Sequence, residues 1–186
     1  VSGYNANPDT NDHVFLLWAN DTLIEDCLAG GSGRDLVLIY QGSRNTIRRC
    51  YTHWEDWRGA EFCGVTWPNG NNVVIYNASD NMLENVIADG SAPGRGILLQ
   101  ANADAVSANR NQVLGSIAVL AGMNMDGSLR IWPPPRPDNT CGGTYLDYRR
   151  ADLLSGLAVW GPGAISGNVF RDVLATVNAG LGFSSA

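Results

Sequence analysis

Few residues in this chain have the type and spacing for chemistry. His13 and His53 are the only histidines, 40 residues apart in sequence, and neither lies near a Gly-x-Ser-x-Gly nucleophile turn. The four cysteines, Cys27, Cys50, Cys63 and Cys141, have no spacing that suits a zinc site and are too few for a disulfide scaffold. No metal site, cofactor or catalytic residue is therefore expected. Charged residues recur at one place in a repeated pattern: Glu25, Arg48, Glu84 and Arg171, with Leu114 and Gly142 filling the other copies. Carboxylates and guanidinium groups in successive copies could line a sugar cleft with an acid and a base. Because the signs alternate and no two carboxylates share a level, a charge ladder up a solvated face is the preferred interpretation.

The pattern behind those positions is clearest in VFLLWANDTLIEDCLA, Val14 to Ala29. A short apolar run ends in an aromatic, and a turn then leads into Asn/Thr, any, apolar, any, any, small, apolar, small. The apolar runs end at Trp18, Tyr40, Tyr76, Gln100, Trp132 and Trp160, and the second segments begin at Thr22, Asn45, Asn81, Asn111, Asn139 and Asn168. Successive second segments start 23, 36, 30, 28 and 29 residues apart, in the range of stacked repeat architectures. The fifth copy, LRIW with NTCGGTYL, is the weakest and is accepted because it fills a double gap.

Within each run the apolar period is two, the period of a strand. The positions one and three before the aromatic are Leu17/Phe15, Ile39/Val37, Ile75/Val73, Leu99/Ile97, Ile131/Leu129 and Val159/Leu157, all apolar. They predict one buried face. Ile24, Ile47, Leu83, Val113, Cys141 and Phe170 form a column of mostly large residues, and Ala29, Thr52, Ala88, Ala118, Leu146 and Ala175 one of mostly small residues. Stacked coils of constant cross-section require such matching.

With NTIRRCYT (Asn45 to Thr52), NMLENVIA (Asn81 to Ala88) and GNVFRDVLA (Gly167 to Ala175), the chain resembles the right-handed parallel β-helix superfamily, the pectate lyase-like solenoids. The resemblance covers roughly Val14 to Ala175 and implies an all-β fold of about six coils with loop insertions, an Asn entering each strand as in that superfamily's turn ladders. It implies no particular activity, since one fold hosts many functions. The lyase signatures, Trp-Ile-Asp-His and Arg-x-Pro-x-x-Arg, are missing, as are the polygalacturonase Asn-Thr-Asp and Gly-Asp-Asp pairs. HWEDW, His53 to Trp57, has the wrong order, and NDTL, Asn20 to Leu23, matches one short pectin methylesterase block without its companions.

The expected organisation is a polar N-terminal segment over residues 1–13, a parallel β-helix over 14–176, and a tail or truncated further coil over 177–186. The first segment shows no amphipathic helix to cap coil one, which leaves a strand edge. The long insertion of coil two, His53 to Asn72, holds Trp54, Trp57, Phe62 and Trp67; folding over the side of the solenoid is preferred for it over a recognition surface. Coil four has a polar insertion, and PPPRPD, Pro133 to Asp138, suits a rigid bulge. Cys27 and Cys50 fall in one column of adjacent coils, with stacked thiols preferred over a disulfide. Two glycosylation sequons start at Asn20 and Asn77.

A chain of 186 residues with 45% hydrophobic content can build one core. Its net charge of −6 and lack of a basic cluster argue against nucleic acid, and no apolar run suits a membrane span. It begins without Met or a signal peptide and is expected to be a processed product or a fragment. By parity Trp18, Tyr40, Tyr76, Gln100, Trp132 and Trp160 point away from the core, beside Leu16, Leu38, Val74, Leu98, Arg130 and Ala158. An apolar face of that height is not normally left wet. The preferred expectation is a non-catalytic, extracellular or cell-surface solenoid that associates with itself or with other domains of a longer chain through this face. Trp18, Tyr40, Tyr76, Trp132 and Trp160, with Trp54, Trp57 and Trp67, are the candidate binding residues. The alternatives are a carbohydrate platform and a partial polysaccharide lyase or hydrolase.

Overall fold

Short apolar runs with period two, each closed by turn residues, give strands too short to be stable alone; they gain stability by pairing with the equivalent run of the next repeat. A computed structural model of the chain describes residues 2–5, 13–31, 35–54, 71–91, 95–121, 155–176, 178 and 182–185. Among these residues there is no helix, hence none long and apolar enough to cross a membrane. The first coil comprises β2 (Phe15–Leu17), β3 (Leu23–Glu25) and β4 (Leu28–Gly31), and the second β5 (Asp35–Tyr40), β6 (Thr46–Arg48) and β7 (Tyr51–Trp54). The third comprises β8 (Asn71–Tyr76), β9 (Met82–Glu84) and β10 (Ile87–Ser91), and the fourth β11 (Ile97–Gln100), β12 (Gln112–Leu114) and β13 (Ile117–Ala121). Beyond them lie β14 (Leu157–Trp160), β15 (Val169–Arg171) and β16 (Leu174–Thr176); β1 (Ser2–Asn5) precedes the stack and β17 (Phe183–Ser185) follows it.

Every strand pairs in parallel with its equivalent one coil away. The first sheet runs β17-β14-β11-β8-β5-β2, the second β15-β12-β9-β6-β3 and the third β1-β4-β7-β10-β13-β16. Stacked parallel strands in three sheets are compatible with a β-solenoid. The register gives the expected columns: Ile24, Ile47, Leu83, Val113 and Phe170 are successive partners, as are Ala29, Thr52, Ala88, Ala118 and Ala175. The small column lies on the third sheet, so the second segment of each repeat is two strands and a corner. That corner is one left-handed residue, Asp26, Arg49, Asn85, Gly115 or Asp172, with φ of 50° to 56°. Asp and Asn tolerate this conformation better than most residues, and Gly without strain.

Of the inward positions expected in the first sheet, Leu17, Val37, Ile39, Val73, Ile75, Ile97, Leu99 and Leu157 are buried, and Phe15 and Val159 pack against them. At the turn into the second sheet, Asn45, Asn81 and Asn111 are buried and linked side chain to backbone. Asn45 N donates to Asn81 Oδ1 (3.0 Å), Asn81 N to Asn111 Oδ1 (2.9 Å) and Asn111 N to Asn168 Oδ1 (2.7 Å). Each amide satisfies a turn N–H that the sheets leave unpaired.

Between the fourth coil and the last three strands of the stack the described strands pair without an intervening level. β11 pairs directly with β14, placing Trp160 beside Gln100, and β12 pairs with β15, placing Phe170 beside Val113. The residues expected to build the fifth coil, 129–132 and 139–146 with Trp132 and Cys141, lie outside the described residues. At the chain's start, Ser2–Asn5 pairs with Leu28–Gly31 and adds a strand below coil one.

Candidate functional site

The aromatic column stands on the outward side of the first sheet at its exit. Trp18 meets Tyr40 edge-on with ring centroids 5.0 Å apart, and Tyr40 stacks on Tyr76 at 5.3 Å. Asn102 Nδ2 donates to the Tyr76 hydroxyl, which fixes that ring from the following turn. Beside the rings runs the column Leu16, Leu38, Val74, Leu98 and Ala158. Its members differ sharply in exposure. Leu16 is 51% exposed and Trp18 68%, whereas Leu38 is 7% exposed and Val74, Leu98 and Ala158 are each 1% exposed. Tyr40, Tyr76 and Trp160 are half-buried against these four, making a second apolar cluster outside the main core.

The expectation of one continuous outward apolar face is therefore corrected. Among the described residues of that face, Leu38, Val74, Leu98 and Ala158 are buried, and the large residues left exposed are Leu16 and Trp18 of coil one. Parity set which side of the strand each residue takes but carried no information about what covers that side. Trp54 ends β7 opposite Gly31; Trp57, Trp67 and Trp132 lie outside the described residues, as does the insertion beyond Trp54.

A second group lies on the outside of the third sheet. Tyr51 and His53, two apart on β7, share a face, and Asp89 of β10 is the register partner of His53. The Tyr51 hydroxyl donates to Asp89 Oδ2 at 2.5 Å, His53 Nδ1 lies 3.2 Å from the same oxygen, and the two rings are parallel with centroids 6.0 Å apart. Burial, and then the hydrogen bond to the carboxylate, push the Tyr51 phenol up to about 12. His53 Nδ1 and Asp89 Oδ1 are both buried without a satisfactory hydrogen bond, although the His53 side chain as a whole is 33% exposed. A carboxylate facing one ring nitrogen with part of the ring open to solvent is an arrangement capable of moving a proton. Sequence reasoning treated His53 as isolated. The signal was available, because His53 and Asp89 each stand eight residues after a ladder asparagine, Asn45 and Asn81.

Of the charged positions of the repeat, Glu25 and Arg48 form an ion pair with each other rather than a cleft, beside further pairs at neighbouring corners. Arg48 meets Glu25 at 2.7 Å, Arg49 reaches both Glu25 (2.9 Å) and Asp26 (2.7 Å), and Arg44–Asp21 and Arg110–Asp80 are forked pairs along the neighbouring corner. Hydrogen bonding from Arg48 holds the Glu25 carboxyl below its ordinary range, the opposite of what a general acid needs. Of the two sequons, Asn20 is exposed and accepts from Ser43 N (2.7 Å), while the Asn77 amide donates to Asn102 Oδ1 (2.7 Å). Among the described residues no three His, Cys, Asp or Glu side chains converge as metal ligands.

No family model, no curated protein and no solved structure matches the chain.

Proposed function

We propose that the chain is a right-handed parallel β-helix module, extracellular or cell-surface, whose role is non-catalytic association with other protein through the surface of coil one. The supporting observation is the concentration of open apolar side chains there. Of the eight large hydrophobic residues that are exposed among the described residues, Leu16, Trp18, Leu23 and Leu28 belong to coil one. The last strands carry Val169, Leu174 and Phe183, leaving only Ile87 in the middle of the stack. Stacked-repeat proteins need a polar outer surface on any repeat that faces water, and coil one exposes these four large apolar side chains beside Asn20, Asp21 and Asp26. β2 and β3 are also the outer strands of their sheets among the described residues. An apolar surface beside unpaired strand edges suits a protein partner, which can supply both apolar contacts and backbone hydrogen bonds.

The test is Leu16→Asp combined with Trp18→Asp. The unmodified chain is expected to form a larger species by light scattering and sedimentation, and the double variant to be a monomer with an almost unchanged Tm, because both side chains are exposed. Tyr40 and Tyr76 are unsuitable probes, since their rings pack on Leu38 and Val74 and a carboxylate there would disturb the fold. A wild-type monomer with no protein partner, whose Trp fluorescence shifts on adding polysaccharide, would instead establish the carbohydrate-platform alternative.

The enzymatic alternative has one supporting observation, the Tyr51, His53 and Asp89 cluster. It requires release of unsaturated or reducing sugar ends by the wild-type chain, with loss of that activity in His53→Ala.

A further inference from the structure

Cys27 and Cys50 occupy the same place in coils one and two, each directly after the left-handed corner residue, Asp26 or Arg49. The flanking partners Glu25 with Arg48 and Leu28 with Tyr51 put the two cysteines one above the other, and Tyr51 N donates to the Cys27 carbonyl at 2.9 Å. At the spacing of paired strands, about 4.8 Å, their backbones fall inside the Cα range of about 4.4 to 6.8 Å that a disulfide accepts. Both are free thiols. Each sulfur donates to the carbonyl two residues back, Cys27 to Glu25 O at 3.0 Å and Cys50 to Arg48 O at 3.3 Å, so the side chains lean the same way over their corners. The Cys50 sulfur also lies 3.8 Å from Ile24 O, a carbonyl of coil one. Closing a bond between them requires a side-chain rotation and the loss of two weak S–H hydrogen bonds, with the backbone register left in place.

We propose that Cys27 and Cys50 are a redox modification site, which a small-molecule disulfide such as oxidised glutathione converts to an intramolecular disulfide fastening coil one to coil two. Cys27 is half-buried and Cys50 is 5% exposed, so Cys27 is the accessible nucleophile. Its thiolate attacks one sulfur of oxidised glutathione, forming a mixed disulfide and releasing one glutathione thiolate, which takes up a proton. The Cys50 thiolate then attacks Cys27 Sγ and expels the second glutathione thiolate. Two protein thiols are oxidised and one glutathione disulfide is reduced to two thiols. Burial pushes the Cys50 thiol up, which lowers its thiolate fraction at neutral pH and slows its attack in the second step. The staple would act where the stack is least supported, since β2 and β3 have a described neighbour on one side only. The inference does not depend on what coil one binds.

The experiment uses the full chain carrying Cys63→Ser and Cys141→Ser, incubated with oxidised glutathione or with dithiothreitol. The expected result is loss of both denaturant-exposed thiols, an intact mass lower by two hydrogens with no glutathione retained, and slower hydrogen exchange in β2 and β3 than in the reduced protein. Two persistent thiols, a stable glutathione adduct on Cys27, or a covalent dimer would each overturn it. Should the double serine variant fail to fold, peptide mapping of the oxidised wild-type chain replaces it. A cross-linked pair of peptides containing Cys27 and Cys50 supports the site, and linkage of either residue to Cys63 or Cys141 instead refutes it.

Discussion

Coil one and coil three are built from the same residue types in the same register, yet they differ in what those residues achieve. In coil three Ile75 and Leu83 are 0% exposed, while in coil one Leu17 keeps 6% and Ile24, the partner of Ile47 in the large column, is only half-buried. On the outward side the contrast is larger, with Val74 at 1% and Leu16 at 51%. In a stack, burial comes from the coils on both sides, so an identical pattern makes core in the middle and surface at the end.

The strongest way to test that comparison is to truncate the same column at two levels. Leu83→Ala removes a side chain packed from above and below and is expected to cost about 2 to 5 kcal/mol. Ile24→Ala should cost roughly half as much, because its site is already partly wet and leaves less of a cavity. Urea unfolding monitored by far-UV circular dichroism measures both. Equal costs would mean that coil one is as tightly packed as coil three and that its open apolar surface is incidental.

The asparagine ladder gives a smaller contrast of the same kind. Asn81 Oδ1 accepts from Asn45 N and Nδ2, and its own Nδ2 donates to Gly42 O (3.1 Å) and Ser79 O (2.9 Å). Asn81→Ala would strand a buried backbone N–H, a loss of about 1 to 3 kcal/mol. Asn168→Ala, on a half-buried side chain near the other end, should cost less because water can reach the Asn111 N–H it leaves behind. Thermal unfolding of the two variants checks the order, and a reversed order would show that the ladder is anchored from its end.

Those contrasts also mark how far the sequence could be read. The strand period, the inward positions and the Ile24-to-Phe170 column were legible because each follows from local alternation and a repeated offset, and an Asn, or Thr22 in coil one, marked the residue before each second-sheet strand. The fifth copy rested on the repeat period alone, and a period of 23 to 36 residues can be met by chance within the 57 residues separating Asn111 from Asn168. Only pairing between strands distinguishes a coil from an excursion. Burial of Leu38, Val74 and Leu98 was illegible for a related reason: alternation separates the two sides of a strand but cannot tell which side another part of the chain covers. The Tyr51, His53 and Asp89 cluster was legible in principle, since equal offsets from the ladder asparagines bring His53 and Asp89 together, but three residue types separated in sequence do not suggest a group until the register is applied.

The smallest expected effect concerns how coil one is held electrostatically. Its three carboxylates Asp21, Glu25 and Asp26 each pair with an arginine of coil two, and hydrogen bonds from Arg44, Arg48 and Arg49 respectively hold their carboxyls below the ordinary range. A group whose folded pKa lies below its unfolded value stabilises the fold above the unfolded pKa, and that contribution is lost as pH falls through the folded one. The attachment of coil one should therefore weaken as pH drops below the ordinary carboxylate range near 4. All three pairs are solvated, so the effect should be modest and should shrink in high salt. Coils three and four share one such pair among the described residues, Asp80 with Arg110, against three between coils one and two. Once the slower intrinsic exchange in acid is divided out, the protection of β2 and β3 amides is thus expected to fall on acidification before that of β9 and β12 does. Arg44→Gln should weaken that pH dependence by leaving Asp21 without its partner. If coils one and three respond to acid together, or if Arg44→Gln changes nothing, the ion pairs add nothing to the hold on coil one, which then rests on the same apolar packing and backbone pairing as the middle of the stack.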